Sequence, residues 1–120
     1  MALLATLMTI VVAVLHLYFL VLEMFLWTKP AGRRVFRTTA EFADATKSLA
    51  ANQGLYNGFL AAGLFWGVSR GVDGSAITHF FLACVVVAGV FGALTIGRKI
   101  LYVQALPAAV AIGLTILARS

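Results

Sequence analysis

Glu23 is the single acidic residue inside any apolar stretch of this chain, and His16 stands two turns before it on the same helical face. The residues around them are hydrocarbon: Val11–Leu15, Leu17–Leu22 and Met24–Trp27. An ionisable group within a membrane span costs about 3 kcal/mol on insertion scales and by default marks a functional site. A carboxyl and an imidazole can both exchange protons, so the chemistry on offer is acid–base work on a lipophilic molecule. At a spacing of seven residues the two side chains are about 10 Å apart along the axis, so they meet only through a water or a ligand.

A second group of polar residues, Asn52, Gln53, Tyr56 and Asn57, crowds one and a half turns of another apolar segment. Amide side chains both donate and accept, and can hold a carboxyl or a hydroxyl in place. In membrane spans they also act as interhelical glue, worth about 0.6 kcal/mol on average. Trp27 closes the first apolar segment, while Tyr102 and Gln104 open the last. Interfacial anchoring is the ordinary role of such residues. The candidate site is thus Glu23 and His16 as acid and base, with Asn52, Gln53, Tyr56, Asn57, Trp27 and Gln104 around a ligand. No metal is expected, because one His with one Glu is too few ligands. No cofactor is expected either, since no phosphate loop, nucleophile elbow or dinucleotide fingerprint occurs.

The elements that position these residues follow from composition. Of 120 residues, 62% are hydrophobic and 11% charged, and the mean hydropathy is +1.03. That is the composition of a polytopic membrane protein. A span needs about 20 mostly apolar residues, and four segments qualify: Ala2–Trp27, Leu49–Val68, Ala76–Ile96 and Ile100–Ala118. Little remains outside them, so one all-α domain is expected, a four-helix antiparallel transmembrane bundle over residues 1–120. The first segment lacks a basic start and a cleavage site, and reads as a retained helix. Cys84 lies mid-span and can form no internal disulfide.

Connection 28–48 is the one substantial hydrophilic piece. Pro30 should stop the first helix. Thr38-Thr39-Ala40-Glu41 matches a capping box with Thr38 as N-cap, so the second helix should begin near Thr39. Phe36, Ala40 and Ala43 give it a modest apolar face. Pro107 should kink the last helix or free a carbonyl near Val103. Gly54 and Gly58 are four apart, as are Gly63 and Gly67, which lets helices approach closely. Packing inside the bundle is their expected role, and a homo-oligomer interface is the alternative.

The net charge of +5 is distributed as topology demands, so no nucleic-acid partner is expected. Lys29, Arg33, Arg34, Arg37 and Lys47 lie in the first connection and Arg98 and Lys99 in the third, against Arg70 and Arg119 elsewhere. Seven against two is a positive-inside bias. It puts the first and third connections in the cytoplasm and both termini on the non-cytoplasmic side, with membrane lipids as partners. Glu23, about 6 Å in from its helix end, then shares a level with Asn52–Asn57, Thr95, Tyr102 and Gln104. Polar groups from four helices in one leaflet point to a pocket open toward the cytoplasmic interface.

The run His16-Leu-Tyr-Phe-Leu-Val-Leu-Glu23-Met-Phe-Leu-Trp27, followed by Asn52-Gln-Gly-Leu-Tyr-Asn-Gly-Phe-Leu-Ala-Ala-Gly63, resembles the small bacterial membrane proteins of domain-of-unknown-function family 1304. The resemblance spans almost the whole chain. It implies four helices and a role for both motifs, and it implies no reaction. Small multidrug transporters share the outline of four helices with one Glu in the first. Membrane sterol isomerases share a His, Glu, Asn and Trp pocket open to one leaflet. Three readings follow. The leading one is a pocket that binds a small lipophilic or amphipathic molecule and isomerises it by proton transfer. The second is a proton-coupled small-molecule transporter or transporter subunit. The third is a structural membrane protein without a ligand.

Overall fold

Lipid offers the backbone no hydrogen bonds, so a long apolar segment must satisfy its own amides, and a helix does this within one segment. The computed structural model describes residues 2–119, and it is all-α. Helix α1 covers Ala2–Met24, a short α2 covers Pro30–Phe36, and α3 covers Ala40–Ser69. A single 3₁₀ turn, Gly71–Gly74, leads into α4, Ser75–Thr95. One turn of helix, α5 (Arg98–Ile100), passes through a π segment, Leu101–Ala105, into α6, Leu106–Arg119.

Three helical stretches among the described residues are long and apolar enough to cross a membrane: Ala2–Met24, Gly71–Thr95 and Arg98–Ala118. The expected second span lies within α3. At 30 residues that helix has the length, but Asn52, Gln53 and Asn57 lower its hydropathy. Burial is inverted relative to a protein in water. Thr9, His16, Asn57 and Thr78 are buried, while Leu7, Val11, Val14, Tyr18, Phe59, Val87 and Phe91 are exposed. Apolar surface on that scale needs a lipid solvent, and the protein is a membrane protein.

The chain forms two compact units. One is made of the start of the chain through Ala13 together with everything from Ala62 onward. Here α4 packs on the π segment and on α6, and Gly89 has the Ala105 backbone 2.6 Å from where a Cβ would stand. The π segment answers Pro107. The Leu106 N–H bonds to Leu101 O, one residue further back than in an α-helix. The ladder is thereby reset just before the proline ring would clash with it.

The other unit is Val14–Ala61, and here local chemistry departs from expectation in two places. Helix α1 ends at Met24, not Trp27, because Phe25 and Leu26 both donate to Val21 O and the ladder closes there. Pro30 does more than stop α1. It opens α2 at the first turn, where its missing N–H has no helical partner to lose. Gly32 is buried against the backbone of Leu26 and Trp27, leaving no room for a side chain. Arg37 ends α2 in the left-handed conformation (φ 54°, ψ 48°), its N–H bonded to Arg33 O. The expected cap at Thr38 is displaced by one residue. The Thr39 hydroxyl accepts from the Phe42 N–H at 3.1 Å, whereas Thr38 Oγ1 is buried with no hydrogen-bond partner. A left-handed residue at Arg37 re-aims the chain, and Thr39 is then the residue positioned to reach the first free amides of α3.

Candidate functional site

In unit Val14–Ala61 the inner face of α3 is a column of small residues. Ala43, Ala50 and Ala61 are buried, with Gly54 and Asn57 between them at spacings of three and four. The column lets α1 approach closely. A Cβ at Gly54 would lie 2.6 Å from Met24 Cγ, 3.1 Å from Glu23 Cβ and 3.2 Å from Leu20 O. At Gly58 it would lie 2.7 Å from the end of the Leu20 side chain. The spacing of Gly54 and Gly58 therefore packs one helix on another within this unit.

That approach brings Glu23 and Asn57 together. The Asn57 amide Nδ2 donates to Glu23 Oε1. Asn57 is buried and Glu23 half-buried. A hydrogen bond to an ionisable group is worth about 1.5–3 kcal/mol, and leaving either partner unsatisfied costs a similar amount. The bond therefore fixes where the carboxyl points. Glu23 lines an open hollow of about 330 Å³ with Met24, Phe25, Trp27, Thr28, Lys47, Ser48 and Ala51.

Trp27 forms the wall of this hollow and is tied down at both ends. Its indole Nε1 donates to Thr46 Oγ1 at 3.1 Å, and the Thr46 hydroxyl donates to Phe42 O at 2.7 Å. Its ring packs on Phe36, centroids 4.9 Å apart. Lys47 is paired with Asp44 at 3.3 Å, and both side chains are largely in solvent. The sequence does not single out Thr28, Lys47, Ser48 or Ala51 as site residues. Lys47 stands between Ala43 and Ala50 at spacings of four and three, and that register on the small-residue face is the signal that could have found it.

The remaining expected residues fall elsewhere. Asn52, Gln53 and Tyr56 are exposed on α3, off its inner column, and Tyr56 lies beside Phe59 with centroids 6.2 Å apart. His16 is fully buried, its ring edge-on to Phe19 at 5.5 Å, and it does not line the hollow. Gln104 is half-buried in the π segment of the other unit. No group of three or more potential metal ligands occurs among the described residues.

The other unit has its own hollow, of about 310 Å³, lined by Thr6, Thr9, Ser75, Thr78 and Thr115 among small and apolar residues. Thr6, Thr9 and Thr115 donate to Ala2 O, Ala5 O and Ala111 O of their own helices at 2.8–2.9 Å. Their hydroxyls keep lone pairs but no free proton, and no charged side chain among the described residues lines this hollow. The titratable carboxyl of Glu23 lines the first one.

The model of the family described as "Protein of unknown function (DUF1304)" matches residues 10–116, almost the whole chain. The chain belongs to this family. The matched region contains both polar motifs and every residue that lines the Glu23 hollow. The chain is also similar to the uncharacterized protein YpaA of Lactococcus lactis subsp. lactis. The two are 28% identical over 106 residues, which is 87% of this chain and 89% of the relative. No solved structure matches the chain.

Proposed function

We propose that the hollow between the end of α1 and the start of α3 binds a small lipophilic or amphipathic molecule, with Glu23 as the group that engages its polar end. The observation behind this is a carboxyl oriented by Asn57 and lining an open hollow beside Trp27. A volume near 330 Å³ suits a headgroup and the first part of a chain, at the lower end of small-molecule sites. Glu23 is the proton-exchanging group such a ligand would touch. On this reading isomerisation by proton transfer runs through Glu23, with His16 deeper in the fold. The frame we propose is a four-helix antiparallel bundle in the bacterial inner membrane, with α3 as its fourth span. Both termini are outside and the hollow is in the cytoplasmic half, in keeping with seven basic residues against two.

The protein, purified in mild detergent and analysed by mass spectrometry, is expected to carry a lipophilic molecule that Glu23→Gln loses. Finding none in either form overturns the reading and favours a structural protein. A proton-coupled transporter is the second reading, favoured by one observation: Thr9 lines a hollow in the other unit. On that reading a cysteine at Thr9 reacts with external thiol reagents at a rate that depends on proton concentration. A binder open to one leaflet leaves it unreactive.

A further inference from the structure

We propose that the occupant of the Glu23 hollow is a lipophilic amine in its protonated form, with Glu23 as counter-ion. The inference rests on the binding role proposed above and names the ligand class.

The argument is one of charge. Glu23 receives a neutral donor from Asn57 on one oxygen, and no lysine or arginine among the described residues is ion-paired with it. Lys47, the one cation among the described residues that lines the hollow, is engaged by Asp44 at 3.3 Å, with the two side chains 63% and 73% exposed. When ionised, a half-buried carboxyl whose partner is an amide carries a charge that nothing beside it compensates among the described residues. A bound ammonium supplies that charge together with several N–H donors. A carboxylate ligand would be repelled, and an alcohol would leave the charge unmatched.

The lining fits the same class. Thr28 and Ser48 add hydroxyl acceptors for the remaining N–H bonds. Phe25 and Trp27 line the hollow too, and aromatic rings attract a cation held over their faces. Met24, Phe25 and Ala51 offer apolar surface to the carbon chain. No bond is made or broken, and the proton stays on the amine.

The test uses Trp27 as reporter. Trp66, the other tryptophan, is 54% exposed, so Trp66→Phe is expected to keep the fold and to leave Trp27 as the sole indole. This variant, whole and in detergent, is titrated with bromine-tailed undecylamine, and with the alcohol and the carboxylate of the same chain and bromine. The expected result is saturable quenching by the amine with an apparent affinity at least about tenfold above both controls. Glu23→Gln, which keeps an oxygen in reach of the Asn57 amide, should abolish that preference with an unchanged melting temperature, and Glu23→Asp should retain it. Equal binding of all three probes overturns the amine inference and leaves the amphiphile reading in place. Preference for the carboxylate overturns it too. No saturable quenching by any probe overturns both.

Discussion

Asn57 and Glu23 form a pair in which each answers the other's buried polarity. Asn57→Leu leaves the carboxyl half-buried without its donor. It is expected to lower stability by about 1–3 kcal/mol, read as thermal unfolding in detergent. Glu23→Leu with Asn57→Leu removes both polar partners at once, and exchanging such a pair for apolar groups is close to neutral. The double variant should therefore recover most of the loss. A double variant as unstable as Asn57→Leu alone would show that the two residues are not coupled. Thr46 is the equivalent partner for Trp27. Thr46→Val deletes the acceptor of the indole N–H and should cost about 0.5–1.5 kcal/mol. It should also shift Trp27 emission in the Trp66→Phe background.

At the scale of elements, the close approach of α1 and α3 is set by glycine. Gly54→Ala meets the Leu20 carbonyl and the Glu23 Cβ, which cannot move without moving the helix, whereas Gly58→Ala meets only the tip of Leu20. Gly54→Ala is therefore expected to destabilise by about 1–3 kcal/mol, as overpacking does, and Gly58→Ala by clearly less. Equal melting temperatures would mean the helices are free to part. Connection 28–48 is shaped by Arg37, the one non-glycine residue with positive φ among those described. A β-branched residue fits that conformation badly and glycine fits it well. Arg37→Val should lower the melting temperature and Arg37→Gly should not.

For the whole molecule, the orientation is open to direct measurement. Val72, in the 3₁₀ turn after α3, is 93% exposed, while Asp44 and Lys99 lie in the other two connections. In a Cys84→Ser background and intact cells, a cysteine at Val72 is expected to react with a membrane-impermeant thiol reagent. Cysteines at Asp44 and Lys99 should react only after the cells are opened. That pattern requires α3 to cross the bilayer. If Asp44 and Val72 react alike, α3 does not cross, and the four-span frame falls.

The amino-acid order by itself determined the all-helical class, the membrane setting and the family, because long apolar runs leave the backbone no other way to satisfy itself in lipid. It also marked Glu23 and Asn57, since polar groups stand out against hydrocarbon. It did not separate Asn57 from Asn52, Gln53 and Tyr56, which share one and a half turns. Only packing decided that Ala50, Gly54, Asn57 and Ala61 form the inner face and that the others lie outside it. Nor did residue types reveal that Lys47 and Ser48 join Trp27 in walling the hollow. Their placement follows from a left-handed residue at Arg37, a helix start moved to Ala40 and an indole bonded to Thr46. The first two are set by backbone geometry at a helix end and the third by a bond between residues 19 apart, and periodicity along one helix carries no information about either.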